Sequence, residues 1–152
     1  MKANFYAYED KKGFAGMKAD ATVAVVDTYA VEGAAGIEPG NFVVLGTDKA
    51  KQVKSAVETG DGAKVVGVAV HEHKEPTSPY YEEGYPVPVI TSGDVYVTAG
   101  TAVTAGTAVA LVIAGGKASV VNAGTASAET VTGATFLGNA ATGEVVCVRI
   151  RK

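Results

Sequence analysis

VPVITSGDVYVTAGTAVTAGTAVALVI, at residues 87–113, is the part of this chain that is most informative about its fold class. From Thr98 onward the hexamer TAGTAV occurs twice in succession, so that glycines recur every six residues among β-branched side chains. This spacing disfavours a helix and favours short strands joined by tight turns. We therefore predict a turn at Ser92-Gly93-Asp94, with strands at 86–91, 95–98 and 109–113.

The composition indicates one β-rich domain. The chain has 152 residues, of which 47% are hydrophobic and only 7% aromatic, with 19 glycines and no tryptophan. A domain of this length buries about 68–70% of its unfolded surface. Small and β-branched side chains with frequent glycine favour short strands and tight turns. We predict an all-β fold, a compact β-barrel or sandwich-like domain at residues 37–152, preceded by an extended N-terminal arm at residues 1–36.

Charge and hydropathy argue against two classes of partner. The formal net charge is −3 and the lysines are scattered, whereas a nucleic-acid surface needs a basic stripe. No apolar run approaches the ~20 residues that cross a bilayer, and no apolar segment follows Lys2 as it would in a secretory signal. We therefore expect neither nucleic acid nor a membrane as a partner, and synthesis in the cytoplasm.

The N-terminal residues 1–36 differ from the rest of the chain. Large apolar side chains stand there between glycines and charged residues, as in Gly13-Phe14-Ala15-Gly16-Met17. Such a terminal segment is poorly ordered unless something holds it in place. Either it wraps around its own barrel, or it lies on a partner as an added strand with Phe14 and Met17 as anchors.

His71 and His73 are spaced like metal ligands, but two histidines are too few for a zinc site. His71 and His73 follow a predicted strand at 65–70 and would share one of its faces. A zinc site needs a third protein ligand, and the chain contains only these two histidines. Glu75 and the Glu82-Glu83 pair are carboxylate candidates at no defined spacing. The pair is better explained as the end of a strand, and no metal is predicted.

Lys49 resembles a cofactor-attachment site. It lies in Thr47-Asp48-Lys49-Ala50, which is similar to the hairpin tip where lipoyl domains carry their modified lysine. The match is only four residues long, so a solvated hairpin lysine is the simpler interpretation. We predict no cofactor, and we keep as an alternative a small β-barrel carrier or ligand-binding module that uses Lys49 or the histidine pair.

The loop at residues 74–85 is predicted to belong to the working surface. Its prolines fix the backbone without forming ladder hydrogen bonds. Tyrosine is favoured at interfaces, so the loop forms either a contact surface or a lid over the barrel end through Tyr80, Tyr81 and Tyr85. A receptor-binding or adhesive surface module is a further interpretation of this loop.

No catalytic motif is present, so we predict that the protein is not an enzyme. The sequence lacks a G-x-S-x-G elbow, a P-loop and a plausible His-Asp-Ser set. Asp94 and Glu144 are predicted at turns, as solvated acids. Cys147 is the only cysteine and is predicted to be a half-buried hydrophobe in the last strand, whose buried face carries Val146, Val148 and Ile150.

Several stretches, taken in order, resemble the structural cement (head decoration) proteins of tailed bacteriophages. They are GFAGMKAD at 13–20, AVEGAAGIEPG at 30–40, FVVLGT at 42–47, VGVAVHEH at 66–73 and the region 87–109. Their order and spacing carry the resemblance, which extends over most of the chain. The segment 114–139 matches least.

The resemblance implies a protein on the outer capsid surface of the virion. It implies a homotrimer whose N-terminal arm reaches the major capsid protein and bridges its subunits, which stabilises the shell. The arm residues expected to contact the capsid are Phe5, Tyr6, Phe14, Met17, Val23 and Val25.

Overall fold

The computed structural model describes residues 13–19, 23–72 and 78–152. Within these ranges it contains one short 3-10 turn, no α-helix and no helix long and apolar enough to span a bilayer. The predicted all-β fold class is confirmed. The strands are β1 Val25–Val31, β2 Phe42–Leu45, β3 Gln52–Ser55, β4 Gly67–Ala69, β5 Pro86–Thr98, β6 Ala108–Ala114, β7 Lys117–Asn122, β8 Ala128–Phe136 and β9 Val145–Ile150.

Five strands close into a small barrel. They follow the order β1-β3-β2-β4-β5, and β1 pairs again with β5 to complete the circuit. β1 is antiparallel to β5 from Val25 to Ala30, but it is parallel to β3 only at Ala30 and Val31. Closure pairs most strand edges within the domain. The exception is the first part of β1, which among the described strands pairs only with β5.

β5 is one continuous strand of 13 residues that joins the barrel to a second sheet. Its second half pairs with β9 from Gly93 to Thr98, and the sheet continues in the order β9-β8-β6-β7. The predicted turn at Ser92-Gly93-Asp94 is therefore wrong. Gly93 lies inside the strand with a φ of +134°, a conformation that favours glycine.

The chain crosses over β5 at Gly93, and this crossing explains the glycine. Ala19 donates its N–H to the Asp94 carbonyl on one edge of β5 (2.9 Å), whereas Val25 pairs with Ser92 on the other edge. Ala24 lies directly over the strand, because a Cβ at residue 93 would stand 2.9 Å from the Ala24 Cβ. Only a residue without a side chain lets the two backbones come so close.

The hydrophobic core has two parts. One fills the barrel interior and comprises Val31, Ile37, Val43, Val53, Ala69, Tyr81, Val87 and Val89. The other lies between the barrel and the second sheet, and its largest members are Phe136, Ile90, Leu111 and Ile150. Since β2 contributes to both parts, its first three residues are all buried, which explains its uninterrupted apolar sequence. The predicted buried face of β9 is confirmed.

A bidentate ion pair connects β5 and β9 in the second sheet. Asp94 and Arg149 lie opposite each other on β5 and β9, and the Arg149 Nε and Nη2 donate to the Asp94 carboxylate at 2.8 and 2.9 Å. Asp94 is buried, so its prediction as a solvated acid at a turn is wrong. The hydrogen bond from Arg149 is the main reason why the pKa of the Asp94 carboxyl is below its ordinary value of 3.8.

This pair predicts a defined pH dependence of stability. Since the pKa of Asp94 is lower in the folded than in the unfolded protein, its stabilising effect is present at neutral pH and is lost as the pH falls through the folded pKa. Arg149→Met leaves a buried carboxylate unpaired, and we expect a loss of about 1–3 kcal/mol at pH 7, reduced because the guanidinium is partly exposed.

Urea unfolding of wild type and Arg149→Met at pH 7 and pH 3 measures this effect. The deficit of the variant should shrink as the pH is lowered to 3, because protonation of the Asp94 carboxyl removes the charge that needs a cation. Asp94→Asn is the control, because its stability should vary less with pH than that of the wild type. An Arg149→Met deficit of equal size at both pH values would contradict the assignment.

Candidate functional site

The segment Gly13–Ala19 is held on the β domain by main-chain hydrogen bonds. Gly16 donates its N–H to the Tyr96 carbonyl at 2.8 Å, and Tyr96 donates its own N–H to the Met17 carbonyl at 2.9 Å. The N–H of His71 donates to the Gly16 carbonyl at 2.7 Å. The segment thus lies beside β5 as a short antiparallel partner, with an isolated bridge from Lys18 to Val95.

Two glycines allow the N-terminal turn to approach the loop before β2. Gly16 has a φ of +82°, and a Cβ there would lie 2.6 Å from the Pro39 Cβ. Gly40 has a φ of +90°, and a Cβ there would lie 2.8 Å from the Ala15 Cβ. The motifs GFAG and EPG, far apart in sequence, therefore pack against each other because both lack side chains at the contact.

The side chain of Phe14 points outward from this docked segment. It is 52% exposed, and its ring meets the ring of His71 edge-on, with 4.9 Å between the centroids and 77° between the planes. Met17 is half-buried. Phe5 and Tyr6, the other predicted arm anchors before this segment, lie outside the described residues, as does His73.

Exposed apolar side chains are concentrated in the N-terminal part of the described chain. Val23 is 91% exposed, Val25 50% and Val26 41%. Together with Phe14 they are four of the six large hydrophobic side chains that are exposed among the described residues. Val26 was not among the arm residues predicted from the sequence.

The barrel begins inside the predicted arm of residues 1–36. Strand β1 starts at Val25 and is paired with β5 along its length. Its first four residues are nevertheless exposed, and burial starts only towards Val31. The N-terminal region therefore combines a docked segment, a crossing and a strand whose first half projects apolar side chains into solvent.

One of the three loop tyrosines is a core residue. Tyr81 is 2% exposed, donates its hydroxyl to the Val70 carbonyl at 2.7 Å and accepts the N–H of Glu72 at 3.0 Å. Burial raises the pKa of the Tyr81 hydroxyl. Its assignment to an exposed contact loop is therefore wrong, since its main chain also pairs with Ile37. Tyr80 is half-buried, and only Tyr85 is largely exposed.

The remaining candidates from the sequence are Lys49, the histidine pair and Cys147. Lys49 is exposed in the turn between β2 and β3, as predicted for a hairpin lysine. In the part of the chain that the structure describes, no three His, Cys, Asp or Glu side chains come together in an arrangement that could hold a metal ion. Burial raises the pKa of the Cys147 thiol to about 11, so it stays protonated and unreactive at neutral pH.

Comparison with known proteins identifies the family. A family model described as "Structural cement protein (E217 gp24/Pam3 gp6)" matches residues 1–151. The chain belongs to this family of phage structural cement proteins. The resemblance identified from the order of the sequence motifs is thereby confirmed. The family is structural and not enzymatic, which agrees with the lack of a catalytic motif, and it gives the chain a structural, capsid-associated role.

One solved structure shares the fold, and a second is less similar. A chain of "The capsid of Myoviridae Phage XM1" is similar with a TM-score of 0.70 and 21% sequence identity, covering 91% of this chain and 89% of that one. A head fiber protein, the gp8.5 N base of bacteriophage phi29, is similar with a TM-score of 0.45 and 12% identity, covering 85% and 95%. No curated protein matches the cement protein by sequence.

Proposed function

We propose that this cement protein binds the outside of the assembled phage head as a homotrimer and bridges neighbouring major capsid protein subunits. The observation that carries the proposal is the concentration of exposed apolar side chains at Phe14, Val23, Val25 and Val26. Large apolar side chains that a folded protein leaves exposed mark a candidate interaction site, and here all four lie within residues 14–26. The virion surface is then the location of the protein, and its β domain forms the body that remains outside.

The arm of residues 1–36 is proposed as the capsid-contacting part. Its anchors are proposed to be Phe5, Tyr6, Phe14, Met17, Val23 and Val25. The hydrogen bonds of Gly13–Ala19 support this proposal, because they fix the backbone that presents Phe14 before any partner binds. A preorganised contact does not have to meet the full entropic cost of ordering on binding.

A cement protein stabilises the shell if it binds the assembled shell and not the free capsid subunits. A ligand that binds only one state stabilises that state by mass action. In a trimer, three linked contacts raise the avidity by about 10²–10⁴-fold without any single strong contact. Weak individual contacts are therefore sufficient, and they permit the shell to assemble before it is reinforced.

Co-sedimentation tests the proposal. The purified protein should bind assembled capsids that lack it and should not bind dissociated capsid subunits, and light scattering should give the mass of a trimer. Phe14→Ser combined with Val23→Ser should weaken capsid binding. Leu137→Ser is the matched control. Leu137 is also a large exposed apolar residue, but it is far in sequence from the proposed anchors. Equal binding to dissociated subunits, or none to capsids, would contradict the proposal.

A further inference from the structure

We propose, building on the capsid-binding role above, that the free edge of β1 at Val25–Thr28 accepts an extended segment of the capsid protein as an added β-strand. Strand addition needs main-chain donors and acceptors that point away from the sheet and have no partner of their own. It also needs an edge that neighbouring strands leave open. With respect to the described residues, the first half of β1 meets both requirements.

The direction of the main-chain groups follows from the alternation along β1. Residues of a strand bond alternately to one side and to the other. Ala30 donates its N–H away from β5, to the Lys51 carbonyl at 2.8 Å. Counting back two residues at a time, Thr28 and Val26 direct their N–H and C=O groups to that same side. Pairing with β3 stops at Ala30, so no strand formed by the described residues lies on this side of Thr28.

Prolines in β5 support the same assignment. Thr28 stands opposite Pro88, and Ala30 stands opposite Pro86. Proline has no N–H and cannot complete a hydrogen-bonded antiparallel pair. The Pro88 carbonyl instead accepts the Val70 N–H on the β4 side at 2.9 Å. The main-chain groups of Thr28 are therefore not used by β5, and no described residue forms a hydrogen bond with them.

The surroundings of the edge favour a capsid segment over a second copy of this chain. An open edge of about four residues is far smaller than the roughly 20–30 residues on each side of a stable protein–protein interface. It cannot hold two copies together by itself, but it adds to a contact made elsewhere. The edge is continuous with Val23 and Val25, which belong to the proposed capsid-contacting surface. Exposed valines on the strand favour a partner strand with β-branched or other apolar side chains.

Thr28→Pro tests the edge directly. Proline at residue 28 removes the outward N–H and leaves the β1–β5 ladder intact, because edge strands accept proline where the N–H faces solvent. We expect Thr28→Pro to bind capsids about tenfold more weakly than the wild type, or more weakly still, as measured by co-sedimentation. Thr28→Val keeps the N–H and the branched shape, and it should bind like the wild type. A melting temperature of free Thr28→Pro close to that of the wild type shows that the variant is folded.

Amide hydrogen exchange of the wild type gives a readout that does not depend on a variant. On capsid binding, the Val26 and Thr28 amides should become protected by tenfold or more, whereas Asp27, which is bonded to β5, should already be protected in the free protein. Unchanged exchange at Val26 and Thr28, or full binding by folded Thr28→Pro, would overturn the strand addition while the capsid-binding role stands. Failure of the wild type to bind capsids would overturn both. Dimers of free wild-type protein that Thr28→Pro abolishes would assign the edge to a second copy instead.

Discussion

A protein lacking residues 1–20 is expected to fold and to lose capsid decoration. The deletion removes Phe14 and Met17 together with the proposed anchors before them, so binding should fall by about 100-fold or more because all three arms of a trimer are lost. It also removes four main-chain hydrogen bonds made by Gly16–Ala19. At about 0.5–1.5 kcal/mol each, their loss should lower the free energy of unfolding by about 2–6 kcal/mol.

Urea unfolding and capsid co-sedimentation measure the two effects separately. Deletion of residues 1–12 is the informative control, since it retains the hydrogen bonds of the docked segment and the exposed ring of Phe14. Its unfolding free energy should be close to that of the full chain. Full capsid decoration by the protein that lacks residues 1–20 would refute the role of the arm.

Gly93→Ala is expected to be among the most destabilising single substitutions in the chain. The new Cβ would lie 2.9 Å from the Ala24 Cβ and 3.0 Å from Ile90 Cδ1, at a φ of +134°. Backbone strain contributes about 1–3 kcal/mol and steric overlap about 1–3 kcal/mol more. The unfolding free energy should therefore fall by about 2–6 kcal/mol, and the N-terminal crossing should move away from β5 to relieve the overlap.

Gly106→Ala separates strain from overlap. Gly106 also has a positive φ, of +82°, but a Cβ there would meet no atom within 4 Å. This variant should lose only the strain contribution, about 1–3 kcal/mol, in chemical denaturation. Equal losses of unfolding free energy for the two variants would show that steric overlap with Ala24 does not contribute at residue 93.

Sequence patterns were sufficient where a strand has one local environment. β9 was predicted with its buried face, because its alternating sequence indicates one buried and one exposed side. β8 was not predicted. Its exposed positions carry threonine and glycine, and burial is limited to a few residues, so its alternation is weak.

Long-range contacts explain the errors. Ser92-Gly93-Asp94 has the composition of a turn. In the structure, Gly93 leaves room for Ala24, which crosses over the strand, and Asp94 pairs with Arg149, 55 residues away in sequence. Tyr81 stands among exposed loop residues, yet its hydroxyl satisfies two main-chain groups beside the barrel core. Local sequence contains no signal for either partner.

The candidate site was predictable in part. Phe14 and Val23 stand out in the sequence as large apolar residues without a core partner, and both are exposed. The open edge of β1 was not predictable, because it depends on where β3 begins relative to β1. The edge can be identified only when the pairing registers of β1 with β3 and β5 are known.

The temperature at which DNA-filled heads release their DNA tests the cement role most directly. Heads saturated with the full chain should release DNA at a higher temperature than undecorated heads, with a shift that grows with protein concentration until the sites are filled. The protein lacking residues 1–20 should give no shift. Saturated heads that release DNA at the temperature of undecorated heads would show that the protein binds the shell without reinforcing it, and this result would contradict the account.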